Sequence, residues 1–406
     1  MPEDRPYRVL MLAPTSFFGD YGCHVRILEE VRFLQGCGHR VTICTYPIGR
    51  DLPGLDLRRT MRLPWRGHYE VGSSRHKIAL DALLAVRALG LRRSVRPDVI
   101  HSHLHEGALI GSVLSRLWGV PQLFDFQGSM TAEMVDHHFL QADTGSYRAV
   151  RRLERWIDQR APRILTSTTQ ATRLLTETFG CAPERVIFAP DCVNTEVFCP
   201  PVRDEAWQAL RRSWGVPDGR PALVYLGLLA DYQGTDHLLQ ALAMLTRQGL
   251  DVHLLLGGYP NVERYRQMAA SLGLADRVTL AGRVPYDEAP AFLGLGDIAV
   301  APKLSKTEGA GKILNYMAMG LPVVAYDTSA SREYLGEMGV YAERGNPEAL
   351  AARLGELARQ PDLGRARGAA LRKRAEEQFH WGRTGQIILD AYAALLGKPG
   401  ESKASA

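Results

Sequence analysis

RVLMLAPTSFFGDYGCHVRILEEVRFLQGCGHRVTICTY, residues 8–46, is the stretch whose reading decides the fold. Residues 8–13 are a short apolar run closed by Pro14, the following loop carries Gly19 and Gly22, and apolar residues then recur at helical spacing over 25–35. Gly36 and Gly38 stop that helix, and residues 41–46 read as a second buried strand. Strand, glycine loop, helix and strand make a β-α-β unit, and the returning helix makes the two strands parallel.

Reading outward, the same alternation recurs. Strands are expected at 98–101, 122–126 and 163–167, with a helix at 108–118 and a basic helix before the last strand. The chain turns irregular after Pro190, and Pro200 and Pro201 stand side by side. A fresh cycle opens at 222–226 (ALVYL) and continues with strands at 252–256, 278–281, 298–301 and 322–325, separated by helices at 236–248, 262–272, 287–295 and 313–319. The fold class expected is α/β, two Rossmann-like doubly wound halves, residues 1–198 and 199–381, with a disordered tail over 397–406. Ligands of such sheets bind beyond the carboxyl ends of the strands, so two facing halves would share one cleft.

At 406 residues the chain exceeds what one core usually serves, and 46% hydrophobic with 23% charged residues is ordinary for a folded protein. The net charge of +5 is modest, but arginines cluster at Arg92, Arg93 and Arg96 and along 148–163. Such clusters fit a solvated basic face equally with a surface for anionic lipid or a phosphorylated substrate. No nucleic-acid module is present, and aromatic residues do not interleave with the arginines, so nucleic acid is not an expected partner. The six cysteines lack both C-x-x-C spacing and the density of a disulfide scaffold, and read as reduced thiols. With no signal-peptide pattern and no long apolar run, a cytoplasmic protein is expected, with peripheral contact at an anionic inner membrane face as a further expectation.

Three segments carry the chemistry. The loop at 18–24 (FGDYGCH) opens the first helix, where Gly22 and its neighbours suit either a phosphate or a tight β-α turn. It departs from G-x-G-x-x-G, and no acidic residue ends the second strand, which argues against a dinucleotide. His103 in HSHLH (101–105) and Gln127, before Gly128 and Ser129, sit at strand ends where they could reach a ligand. The third is APKLSKTEGAGKILNYMAMGLPVVA at 301–325, a loop with Lys303, Lys306, Glu308, Gly309 and Gly311 leading into a helix near Lys312. Glycines at a helix start offer an anion site. The Glu308 carboxylate can accept two hydrogen bonds from the hydroxyls of a sugar or ribose.

Taken in order, the early glycine loop with Gly38-His39-Arg40-Val41, DVIHSH, PDCVNTEVF at 190–198, the strand ending at Gly227, EGAG…MAMGLPVV and Phe379-His380-Trp381 resemble the landmarks of glycosyltransferase family 4 across nearly the whole chain. The resemblance implies a GT-B fold and an active site between the halves. It implies transfer of a sugar, with retention and without a metal or other cofactor, from a nucleotide-diphosphate sugar to a glycan, lipid or small-molecule acceptor. It further implies that the second half holds the nucleotide, that the first presents the acceptor, and that a last helix at 382–396 crosses back onto the first half. By resemblance Glu308 serves the sugar hydroxyls, Asn315 the ribose, and His103 and Gln127 the sugar-acceptor region.

Departures from the family pattern are specific. Leu228 and Gln233 occupy the positions of an Arg and a Lys that usually neutralise the diphosphate, Asn315 stands where a second glutamate is expected, and Gln127 replaces a histidine. Two lost cations need replacement, and Lys303, Lys306 and Lys312, with Arg283 as a further candidate, are the expected substitutes. The alternative readings are a non-catalytic nucleotide-sugar binder of the same fold and a nucleotide-sugar epimerase.

Overall fold

The computed structural model describes residues 5–20, 22–62, 77–136, 139–305 and 309–397, so Lys306, Glu308 and the tail from 398 onward lie outside the described residues. The first half runs β1 (Arg8–Ala13), α1 (Gly22–Gly36), β2 (Arg40–Thr45), β3 (Asp56–Arg59), α2 (Lys77–Gly90), α3 (Arg92–Val95) and β4 (Val99–His103). It continues with α4 (Leu104–Trp118), β5 (Gln122–Phe126), α5 (Met130–Asp136), α6 (Gly145–Asp158), β6 (Arg163–Thr166), α7 (Thr169–Arg173) and β7 (Val186–Phe188). The second half runs α8 (Glu205–Ser213), β8 (Ala222–Leu226), α9 (Thr235–Arg247), β9 (His253–Gly257), α10 (Val262–Ser271), β10 (Val278–Gly282), α11 (Ala289–Leu293) and β11 (Ile298–Ala301). Then come α12 (Lys312–Ala318), β12 (Val323–Tyr326), α13 (Ser329–Leu335), β13 (Val340–Ala342), α14 (Pro347–Arg359), α15 (Pro361–Gln378) and α16 (Trp381–Leu395).

Two sheets result, one in the order β3-β2-β1-β4-β5-β6-β7 and the other β10-β9-β8-β11-β12-β13, with every pairing parallel. The doubly wound expectation therefore holds. Strand order reverses between β1 and β4 in the first sheet and between β8 and β11 in the second, and the loops leaving those strands open a crevice at each point.

β1 shows why the strands read as unbroken apolar runs. Val9, Met11 and Ala13 join one core while Leu10 and Leu12 join another on the opposite face. On the first face α1 buries Ile27, Leu28, Val31 and Leu34 in the same cluster as Ile388, Ala391 and Tyr392 of α16. Each large apolar side chain so buried contributes about 1.5–3 kcal/mol. The last helix is thus part of the first half's core, and the Tyr392 hydroxyl lies 2.7 Å from Nδ1 of His101 on β4. On the other face α2, α4 and α6 supply Leu80, Leu84, Ile110, Leu114 and Ile157.

The sequence reading assigned no element between residues 46 and 98, where the structure has β3, α2 and α3. β3 is an edge strand of sequence DLRR, too polar to show apolar alternation. In α2 the apolar residues run almost without interruption, so no stripe marks the buried face: Leu80 and Leu84 are buried while Ile78 and Val86 are exposed. All six cysteines are free thiols.

Candidate active site

A cavity of about 330 Å³ opens between the carboxyl ends of the two sheets, lined from both. On the first side the β1–α1 loop is held from within. His24 of α1 is buried, its Nδ1 accepts the Gly19 N–H at 2.7 Å, and its Nε2 meets the Thr15 hydroxyl. Burial, with Arg283 nearby, lowers the His24 pKa to about 3, so the ring stays neutral and able to accept. Gly22 then starts α1 on the cavity wall.

Beneath that wall is a dense polar cluster. Arg26 of α1 places Nε 2.9 Å and Nη2 3.0 Å from the two Asp125 oxygens at the end of β5, and Nη1 2.8 Å from Asp191 Oδ1. Asp125 Oδ2 also accepts Gln127 Nε2 at 2.8 Å and lies 3.1 Å from His103 Nδ1. Burial alone would raise the Asp125 pKa, but Arg26 and His103 outweigh it and hold the carboxylate far below its usual range. Glu30 moves the other way, pushed well above normal by burial and the Asp125 charge despite Arg26. Burial and the adjacent His103 hold His101 well below its usual value. The cluster therefore holds one arginine locked to Asp125 and Asp191, and burial favours the uncharged forms of Glu30 and His101.

On the second side Lys312, first residue of α12, lies under the loop after β8. Its Nζ donates to Gln233 Oε1 at 2.8 Å and to the Tyr225 hydroxyl at 2.9 Å, and sits 4.2 Å from the Tyr225 ring centre. Gly227 gives it room, because a Cβ there would fall 2.6 Å from that Nζ. Lys303, buried after β11, donates to the Gly309 carbonyl at 2.8 Å. Gly309 faces the first half closely enough that a Cβ would stand 3.0 Å from Asp191 Oδ2, and the Tyr334 hydroxyl lies 3.1 Å from the same oxygen.

Among the described residues two groups are close enough to share an ion: Glu30, His101, His103 and Asp125, and separately His105, Glu154 and Asp158. Each already contains its own cation. Arg26 fills that role in the first. In the second, burial would lower the His105 pKa, but Asp158 at 3.2 Å and then Glu154 raise it to about 9.

Residues 21–192 match the family model described as "Glycosyl transferase 4-like domain", and residues 220–360 that described as "Glycosyl transferases group 1". A D-inositol 3-phosphate glycosyltransferase of Acidothermus cellulolyticus is 29% identical over 97% of this chain and 91% of its own. The chain belongs to glycosyltransferase family 4. Among solved structures, sucrose-phosphate synthase of Thermosynechococcus elongatus shares the fold of this glycosyltransferase at a TM-score of 0.81 and 18% identity, covering 96% of this chain and 99% of that one. HepE of Anabaena, solved with UDP and glucose, does so at 0.76 and 15%, covering 96% and 100%.

The glycosyltransferase brings Gly22, Gln127, Gly227, Lys303, Gly309, Gly311, Lys312 and Asn315 together around one cavity, the first two from the first half and the rest from the second. His103 is not on it. It is fully buried behind the wall, in contact with Asp125 and Gln127, because β4 continues two residues beyond the expected end and draws the side chain into the sheet layer. Arg283 also differs from expectation. Its guanidinium pairs with Asp20 at 2.6 Å and lies 5.0 Å from the Tyr259 ring centre, outside the cavity lining. The residues that sequence reasoning missed are Asp20, Arg26, Asp125 and Asp191. Asp125 had left a signal, a charged residue inside the apolar strand QLFDF.

Proposed function

We propose that this glycosyltransferase moves a hexosyl group from a nucleotide-diphosphate sugar to a hydroxyl of a glycan, lipid or small-molecule acceptor, with retention at the anomeric carbon and without a bound metal. The observation that carries the reading is the pair of ammonium groups, Lys303 and Lys312, beside Gly227, Gly309 and Gly311 on the wall of a cavity between two nucleotide-type sheets. Lys312 Nζ touches Gln233, the position where the family pattern has a lysine. The positive charge is supplied from a different element to the same place.

In this reading the diphosphate lies against Lys312, Lys303 and the glycines, where fixed positive charge stabilises it as it departs. The bond from the anomeric carbon to the diphosphate oxygen breaks, the acceptor oxygen bonds to that carbon from the same face, and the acceptor proton passes to the leaving diphosphate. No side-chain nucleophile is required. Asn315 serves the ribose, and Gln127, oriented by Asp125, serves the sugar. Glu308 is assigned to sugar hydroxyls from its motif. The fold likeness to HepE, solved with UDP and glucose, supports a nucleotide donor.

Titration calorimetry with nucleoside diphosphates and their sugars tests the proposal. At least one should bind, and Lys303→Ala and Lys312→Ala should each weaken it by about 1.5–3 kcal/mol, the worth of a charge-assisted hydrogen bond. Unchanged affinity in both variants would refute the assignment. Transfer should persist in excess EDTA, and the product should keep the donor's anomeric configuration by NMR.

A further inference from the structure

Asp191 stands where the two halves meet. It follows β7 on the way to the second half, and its carboxylate is shared between them: Oδ1 lies 2.8 Å from Arg26 Nη1 of α1, and Oδ2 accepts the Tyr334 hydroxyl of α13 at 3.1 Å. α13 meets the first half at three points in succession. Ser329 donates to Gln170, Glu333 accepts the Thr169 N–H at 3.1 Å and its hydroxyl at 2.8 Å, and Tyr334 reaches Asp191. Tyr334 is fully buried, edge-on to Phe379 with ring centres 5.6 Å apart, so its hydroxyl moves with α13.

From Asp191 inward the contacts form an unbroken chain of planar groups. The Arg26 guanidinium joins Asp191 through Nη1 at 2.8 Å and Asp125 through Nε and Nη2 at 2.9 and 3.0 Å. Asp125 Oδ2, which takes Arg26 Nε, also accepts Gln127 Nε2 at 2.8 Å. A guanidinium is planar and rigid, so it does not shift at one edge without tilting the other. The Arg26 side chain is 5% exposed and that of Asp125 fully buried, where hydrogen bonds are electrostatically strong and water does not stand in for a lost partner. Because Asp125 holds the Gln127 amide hydrogens, the atom left to accept a sugar hydroxyl is Oε1, buried and without a hydrogen-bond partner among the described residues. At the outer end Gly309 rests on the same junction, since a Cβ there would stand 3.0 Å from Asp191 Oδ2 and 3.4 Å from the Tyr334 hydroxyl.

We propose that Tyr334, Asp191 and Arg26 are positioning residues that set the Gln127 amide according to how far apart the two halves stand. A donor enters a cavity lined by both halves when they part, and parting withdraws Tyr334 from Asp191. Asp191 then turns both oxygens to Arg26, the guanidinium swings towards it, and Asp125 and Gln127 follow. Closure over the donor restores the Tyr334 bond and returns Gln127 Oε1 to the sugar, so that this contact is complete only in a shut cleft. The other two contacts of α13 tie the halves together without entering this chain, because Thr169 and Gln170 do not line the cavity. The role given to Gln127 rests on the sugar-donor reading, whereas the linkage from Tyr334 to Gln127 does not.

The test reads Gln127 directly and needs no donor. In the full chain carrying isotopically labelled glutamine, Gln127 is the side-chain amide signal of the nitrogen–proton NMR spectrum that Gln127→Leu removes. Tyr334→Phe, which deletes only the hydroxyl, should move that signal by more than its line width, and Asp191→Asn should move it further. Ser329→Ala, which breaks a contact between the halves outside the chain, should leave it in place. Circular dichroism confirms the fold of each variant. An unmoved Gln127 signal in folded Tyr334→Phe or Asp191→Asn would overturn the proposal, because a contact that only braced the halves would not be felt there. An equal displacement in Ser329→Ala would overturn it too, since the signal would then follow any loosening of the cleft. Failure of every nucleotide to bind would sink the donor reading and leave this readout untouched.

Discussion

The ends of the two sheets solve the same problem, presenting polar groups to one cavity, in opposite ways. At the first, Arg26, Asp125, Asp191, His103 and Gln127 hold one another, with Asp125 and His103 fully buried behind the wall and Arg26, Asp191 and Gln127 on it. At the second, two lysines reach the wall along their flexible stems, and Gly227 clears the space beside Lys312. The first end spends its charges on internal order. The second brings cationic groups to the surface a ligand meets. The difference teaches that stability and ligand affinity should separate under mutation, the first sheet governing folding and the second binding.

The largest expected break comes from Arg26→Ala. It strands Asp125 and Asp191 without their shared cation and should cost about 3–5 kcal/mol in urea denaturation. A loss below about 1 kcal/mol would mean the cluster is not mutually held. Next, Lys312→Ala should weaken nucleotide binding by about 1.5–3 kcal/mol while shifting the urea midpoint little, and adding Gln233→Lys should restore much of the binding. Gln233→Lys alone should impair binding, since it sets an ammonium beside the Lys312 Nζ now 2.8 Å from the glutamine oxygen.

A smaller effect sharpens the contrast through pH. His105 titrates near 9 when folded and near 6.5 when unfolded, so the stability from its charge is complete below about 6.5 and lost as pH rises through about 9. Burial raises the Asp158 pKa even against His105, so the net contribution should be modest, about 1–2 kcal/mol. In His105→Gln the decline in stability across that window should disappear. The smallest expected change is from Asp20→Asn. It weakens the contact of a buried carboxylate, also held by Arg50 and the Tyr286 N–H, with the half-exposed Arg283 across the cleft, and should alter donor affinity by about 0.5–1 kcal/mol, read as a weaker salt dependence in calorimetry.

Both sheets were legible because parallel strands buried on two faces appear as short apolar runs between glycine loops, as residues 8–46 show. β3 was not legible, since an edge strand needs no apolar pattern, and α2 escaped because its exposed face is as apolar as its buried one. At the site, residues just after strands or at the helix start that follows were readable: Gln127, Gly227, Lys303 and Lys312 all reach the cavity. The burial of His103 and the pairing of Arg283 with Asp20 were not. One depends on how far β4 extends, the other on a contact 263 residues apart in sequence. Arg26 in α1 looks like any surface arginine until the fold carries Asp125 and Asp191 to it.

Tyr392 meets His101 across 291 residues of chain. During synthesis on the ribosome the first sheet can form early, but the covering of α1 and the capping of His101 wait until the whole second half and α16 have been made. Until then Ile27 and Val31 remain uncovered on a nascent protein whose second half is still emerging. A truncation that removes only α16 should therefore yield chains that call on chaperones for their first half, although every residue of that half is present.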